Sequence, residues 1–255
     1  MKNQKSIYSS SSIKITPHKN NKLINQIRKI IKEFFTEEDS FYSKMHTDKF
    51  RNIILNAQKK LNEFEITNKI VLQIYKEVKN YLQSNDFLVQ SNTYLRVSRP
   101  IKETKDSIGW HRENFYAPNA DEYVNVWTPI IGVDKNNTIN YIPESQLIPN
   151  NKIKTANMED QYTKKYSSGH KIGLMYSPKK IISGVNLNKK KTMIVPYYSS
   201  SIFSGNLIHG AAENKSNKIR FSLDFRIIST KHFDENLNKK EHFASGKNYF
   251  TKFNI

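Results

Sequence analysis

A chain of 255 residues, 37% hydrophobic and 12% aromatic, is long enough to bury a sizeable core, yet it contains no apolar run of bilayer-spanning length. It has no cysteine, which excludes disulfides, thiolate metal sites and a cysteine nucleophile, so metal chemistry would have to use histidines and carboxylates. The formal charge of +18 comes mostly from lysine: only seven of the 41 basic residues are arginine, and no basic cluster alternates with aromatics as a base-stacking strip would.

Residues 1–21 form a polar arm with a serine run, Ser9–Ser12, and no apolar signal core, so a cytoplasmic location is expected. Residues 22–255 are expected to form one domain that opens with a helical buttress over 22–85. Lys22–Phe35 carries Leu23, Ile24, Ile27, Ile30, Ile31 and Phe34 at helical spacing, and Asp48–Phe64 carries Phe50, Ile53, Ile54 and Leu61. Thr67 reads as the N-cap of a third helix whose stripe is Ile70, Val71, Ile74, Tyr75, Val78 and Leu82.

From residue 87 to 230 the pattern becomes short β-rich runs: Thr93–Ser98, Glu122–Ile131, Thr138–Ile142, Thr192–Val195, Ser201–Phe203 and Ile219–Ile228. Helices followed by short strands predict an α+β fold, a sheet or barrel buttressed by helices. Residues 146–191 are polar, lysine-rich and aperiodic, as expected of a lid or insertion, and 231–255 form a C-terminal extension.

Three His-x-acid pairs occur, His46/Asp48, His111/Glu113 and His232/Asp234. Residues i and i+2 point to one side only in extended backbone, so a chelating pair at this spacing needs strand-like surroundings. That favours His111/Glu113, because the first pair lies between helical segments and the third follows the last convincing strand. A third ligand candidate, His209, precedes the run Ile219–Arg226 by ten residues. Period two in that run places Arg220, Ser222, Asp224 and Arg226 on one face and Phe221, Leu223 and Phe225 on the other. Two arginines facing a barrel interior require anionic groups to meet them.

The order His111-x-Glu113, His209, Arg220-x-Ser222 resembles the Fe(II)/2-oxoglutarate-dependent dioxygenases. Val124–Ile130, Asn137–Gln146 and Phe203–Asn214 are similar to segments of the phytanoyl-CoA dioxygenase-like branch of that superfamily. Two departures stand out: Glu113 replaces the usual Asp, and Pro143-Glu144-Ser145-Gln146 replaces Pro-Gly-Ser-His. The resemblance implies a double-stranded β-helix, a jelly-roll or cupin-like barrel. It also implies Fe(II) held by His111, Glu113 and His209, with 2-oxoglutarate and O2 as cosubstrates, and a small-molecule substrate, anionic or carrier-linked, that is hydroxylated or otherwise oxidised.

A guanidinium fork suits the far carboxylate of 2-oxoglutarate better than an ammonium, which assigns that role to Arg220 with Ser222. Asn125, Trp127 and Tyr94 are further candidates around the cosubstrate, the two aromatics serving equally well as core. Arg96, Arg226 and Asp224 are candidates on the substrate side, with an internal Arg226–Asp224 ion pair as the alternative. An alkylated nucleic-acid demethylase, suggested by the Arg220-x5-Arg226 spacing, and a non-catalytic β-helix that serves as sensor or scaffold are the competing functions.

Overall fold

In the computed structural model, residues 13–101, 106–116, 120–158, 163–175, 178–211, 213–235 and 249–253 are described. The first predicted stripe forms α1 (Lys22–Phe34), and the second forms α3 (Thr47–Glu63), preceded by a short α2 (Asp39–Lys44) that lacks a long enough repeat to be seen in sequence. The third predicted helix is two helices, α4 (Ile66–Gln73) and α5 (Tyr75–Leu82), broken at Ile74, where φ is −117°. Ile70, Val71, Ile74, Val78 and Leu82 still enter one core, because the stripe reports the buried side and not the continuity of the hydrogen bonds. Thr67 is not the cap expected of it. Glu65 takes a left-handed conformation (φ 51°) ahead of Ile66, and Thr67 is buried in the first turn.

The strands, in chain order, are β1 (Lys14–Pro17), β2 (Phe87–Gln90), β3 (Tyr94–Ser98), β4 (Val124–Ile131), β5 (Ile139–Tyr141), β6 (Lys154–Asn157), β7 (Lys179–Ser183), β8 (Lys191–Thr192), β9 (Ser199–Ser204), β10 (His209–Ala211), β11 (Arg220–Ser229) and β12 (Phe250–Lys252). A seven-stranded sheet runs β1-β9-β4-β11-β2-β12, with β3 also paired to β11, and a smaller sheet runs β10-β5-β8. Together they form the double-stranded β-helix, buttressed by α1–α5. Phe221, Leu223 and Phe225 of β11 join Ile24, Ile27 and Ile31 of α1 and Phe50 and Leu61 of α3 in the main core, so the alternation on β11 turns its apolar face to the helices. A second core, with Trp127, Ile139, Met193, Phe203 and Leu207, fills the opposite side. Pro129, which has no N–H to donate, sits in β4 where the register against β11 shifts between Phe221 and Ser222.

Four expectations change. The polar arm includes an edge strand, since Lys14–Pro17 pairs antiparallel with Ser199–Ile202; residues 1–12, including Ser9–Ser12, lie outside the described residues. The stretch 146–191 is not without regular structure: β6 and β7 form an antiparallel pair and Ser168–Lys171 forms a short α6. Of the run Thr192–Val195 only Thr192 is in a strand. In the C-terminal extension, Phe250–Lys252 pairs with β2, while residues 236–248, with His242, lie outside the described residues.

Beside β1, His18 is buried; its Nε2 lies 2.8 Å from Ser200 Oγ, which lies 2.7 Å from Thr128 Oγ1. Burial lowers the His18 pKa from 6.5 to about 4. The unfolded chain therefore binds one more proton than the folded chain between those two values, so stability falls as pH drops from 6.5 toward 4 and levels off below. Melting temperatures measured across this range should show that slope, and His18→Gln should flatten the part of it that His18 contributes.

Candidate metal centre

His111 and His209 meet through their backbones. Each N–H donates to the other's carbonyl at 2.9 Å, an isolated antiparallel bridge that sets the ring centroids 4.3 Å apart. The extended backbone at Arg112 (φ −128°, ψ 156°) carries the chain to Glu113, whose N–H donates to Gly205 O at 2.8 Å and which opens a 3-10 turn, Glu113–Phe115. This is the strand-like geometry that an i, i+2 pair requires. One ligand atom from each of His111, Glu113 and His209 lies within 4.8 Å of the others, and all three residues are buried. Glu113 Oε1 is 3.9 Å from both imidazole Nε2 atoms.

The two rings are oriented alike. His111 Nδ1 is 2.7 Å from Gly109 O and His209 Nδ1 is 2.9 Å from Leu207 O. A carbonyl oxygen can only accept, so Nδ1 carries the proton in each ring and Nε2 presents a lone pair toward Glu113. Burial lowers both imidazole pKa values, that of His111 to about 3 with His209 adding to the effect, which keeps the rings neutral. For Glu113 burial acts in the opposite direction, but the Arg226 guanidinium, which also donates to it, outweighs burial and holds the carboxyl at about 2. Two neutral imidazoles and one carboxylate converging on a small buried volume are a donor set for a divalent ion, and the buried His111 Nε2 has no hydrogen-bond partner among the described residues.

The charged face of β11 lies beside this group. Arg220 and Asp224 line the same pocket as His111, His209, Asn125 and Trp127. Arg220 is 2% exposed, and its Nε and Nη1 have no hydrogen-bond partner among the described residues; the Oγ of Ser222, a fully buried residue, has none either. Burial and the nearby Arg96 lower the Arg220 pKa to about 10, which leaves it cationic at neutral pH. An unpaired buried cation costs several kcal/mol, more than the roughly 1.5–3 kcal/mol gained by burying one large apolar side chain. A carboxylate ligand would remove that cost. The residues present therefore fit both the metal and the keto acid.

Other predicted site residues are placed differently. Asn125 Nδ2 donates to Glu113 Oε1 at 3.2 Å, and Trp127 both lines the pocket and belongs to the second core. Tyr94 does not line this pocket. It borders a separate groove, and the Arg96 and Arg226 guanidiniums lie 4.8 Å and 5.7 Å from its ring centroid. Arg226 is not offered to a substrate, because its Nη2 donates to Glu113 Oε1 at 2.9 Å and its Nη1 to Asp224 Oδ1 at 3.3 Å. Arg96 pairs with Asp224 at 3.2 Å.

The other His-x-acid pairs have local roles. His46 Nδ1 accepts from Asp48 N at the start of α3, and His232 lies 3.7 Å from Glu122.

Sequence reasoning passed over Arg112, Ser145 and Gly210. Fully buried Arg112 donates to Ile148 O and Asn150 Oδ1, at 3.0 Å and 2.7 Å, and to Ser145 O, pinning the segment after β5. Glu144 takes the left-handed conformation (φ 61°) that the missing glycine would have supplied, so the turn forms despite the substitution. Ser145 Oγ then accepts from Ile208 N at 2.8 Å, next to His209. A signal for Arg112 was available: arginine is scarce in this lysine-rich chain, and none of the seven arginines is exposed.

A double-stranded β-helix that brings two histidines and a carboxylate together beside an unpaired arginine defines the class of non-haem iron oxygenases that use a keto acid. The chain belongs to the phytanoyl-CoA dioxygenase (PhyH) family, which matches residues 15–222. As a member it is an oxidoreductase of the iron- and 2-oxoglutarate-dependent kind.

None of the curated proteins matches the chain in sequence. Among solved structures it is similar in fold to EvdO2 from Micromonospora carbonacea var. aurantiaca, with TM-score 0.61 and 12% identity over 87% of this chain and 88% of that one. It is also similar to the non-heme monooxygenase ThoJ in its apo form, with TM-score 0.57 and 14% identity over 87% and 75%. A third is the epimerase SnoN in complex with Fe3+, alpha ketoglutarate and nogalamycin RO, with TM-score 0.51 and 10% identity over 91% and 86%.

A Cβ added at Gly210 would meet Gly109 C and O at 2.9 Å and Trp110 N at 3.0 Å, all of them backbone atoms beside the histidine bridge. Gly210→Ala should therefore part that bridge, lowering unfolding free energy by about 1–3 kcal/mol in a denaturant titration.

Proposed function

We propose that this chain is an oxygenase that hydroxylates an unactivated C–H of a small or carrier-linked metabolite, coupled to decarboxylation of 2-oxoglutarate to succinate and CO2. The observation that carries the reading is the pairing of two oriented imidazole lone pairs and a buried carboxylate with an adjacent arginine, two of whose nitrogens lack partners among the described residues, and a serine hydroxyl that lacks one likewise. His111, Glu113 and His209 would hold Fe(II) beside the pocket that Arg220 lines. Bound there, the ferrous ion would supply the O2 activation that the side chains cannot.

The remaining work belongs to this chain's residues. The planar fork of Arg220, with Ser222 beside it, would take the far carboxylate of 2-oxoglutarate in two parallel hydrogen bonds and so fix its orientation. The Nδ1 protons, held by Gly109 O and Leu207 O, keep the imidazoles in the ligating tautomer. Asn125 donates to Glu113, and burial of all three ligand residues keeps bulk water from competing for the metal. The SnoN complex, which holds Fe3+ and alpha ketoglutarate in a related fold, is consistent with this use of the site.

The nucleic-acid reading rests on the Arg220-x5-Arg226 spacing, with which the net charge agrees. Arg226 is engaged by Glu113 and Asp224, and no observation favours that reading over a metabolite.

Anaerobic addition of Fe(II) and then 2-oxoglutarate should produce the weak visible charge-transfer band of a bidentate keto-acid chelate. His111→Ala should abolish the band, while Arg220→Met should demand at least 10-fold more 2-oxoglutarate to reach it, the loss expected for a charge-assisted bidentate pair. A correctly folded wild-type protein that shows no band would falsify the assignment.

A further inference from the structure

Glu113 is held as firmly as the histidines, but by a different device. Its Oε1 accepts from Arg226 Nη2 at 2.9 Å and from Asn125 Nδ2 at 3.2 Å. Behind Arg226 the charges alternate: Arg226 Nη1 reaches Asp224 Oδ1 at 3.3 Å, and Asp224 Oδ2 accepts from Arg96 Nη2 at 3.2 Å. Arg96 ends the chain on the backbone, with Nη1 donating to Ile172 O at 3.1 Å and Gly173 O at 2.8 Å. Side-chain exposure along the series is 11% for Arg96, 17% for Asp224, 4% for Arg226 and 6% for Glu113. Gly173 (φ +84°) permits the last contact, because a Cβ there would lie 2.8 Å from the Tyr94 ring and 2.9 Å from Arg96 Nη1.

We infer that Arg226 is a positioning residue for the Glu113 ligand, anchored through Asp224 and Arg96 to the backbone at 172–173. The inference rests on the metal-binding reading above and adds to it a reason why glutamate serves here. Glutamate has one more rotatable bond than aspartate, so its carboxylate must be aimed by something outside its own backbone. The two donors on Oε1 supply that aim. Asp224 supplies the charge balance: a lone guanidinium beside a divalent ion would repel it, whereas the Arg226–Asp224 pair is neutral overall. Arg96 then ties Asp224 to the segment carrying Leu174, which lines the same pocket, so the position of that segment and the direction of the ligand are set by one series of bonds.

The test uses the full chain and Co(II), whose visible d–d bands report ligand geometry without O2 or turnover. Arg226→Met should weaken Co(II) binding by about 10–100-fold, the usual range for removing a partner of a metal ligand, and shift the bands. Arg226→Lys, which keeps the charge and so the fold, should give a smaller loss in the same direction. Arg220→Met removes a neighbouring cation with no bond to Glu113 and should not weaken Co(II).

A folded Arg226→Lys protein with wild-type affinity and bands overturns the inference, and so does an equal loss in the Arg220 and Arg226 variants. If Arg226→Met fails to fold, the lysine variant decides alone. Wild-type protein that binds no Co(II) overturns instead the metal-binding reading on which the inference stands.

Discussion

A guanidinium sealed inside a β-helix with no salt bridge among the described residues is the constraint from which the rest of this structure can be read. Arg220 sits at the start of β11, nearly excluded from water, with two of its nitrogens unpartnered among the described residues. Six residues further along the same face, Arg226 is equally buried and has two carboxylates to answer it. The contrast distinguishes their uses. The ion-paired arginine belongs to the architecture of the centre, and the one without a salt bridge is suited to a carboxylate that arrives from outside.

Much of this was legible because the relevant physics is local. From Arg220 to Ile227 on β11 the period of two is strict, so the assignment of Phe221, Leu223 and Phe225 to the helices and of the polar residues to the interior could be made from eight letters of sequence. The His111/Glu113 spacing combined with strand-rich surroundings singles out the one pair of the three that the structure brings together with His209, while of the others one caps a helix and another pairs with Glu122. The helical stripes located the buttress but not its punctuation, since the break at Ile74 leaves the buried positions in phase.

What escaped the sequence depends on partners far along the chain. Lys14–Pro17 is too short to stand out as a strand by itself and becomes one because β9 offers it an edge. The pairing of Lys154–Asn157 with Lys179–Ser183 spans an interval that looks featureless. For Arg226 the sequence offers a substrate contact or an ion pair with Asp224; the pair forms, and its second partner, Glu113, lies 113 positions away and cannot be inferred from either neighbourhood. Tyr94 shares the inward register of Asp224 yet serves as a platform beneath two guanidiniums, a role visible only once Arg96 and Arg226 are both in place.

The division of labour between the two basic residue types has a practical side. None of the seven arginines is exposed, so the outward positive potential is carried by primary amines, of which the chain has 34. Reagents that acylate or reductively methylate amines can thus reset the colloidal and chromatographic behaviour of this protein while leaving every guanidinium of its interior unmodified. Electrophoretic mobility and the centre's chemistry are, in this molecule, separately adjustable properties.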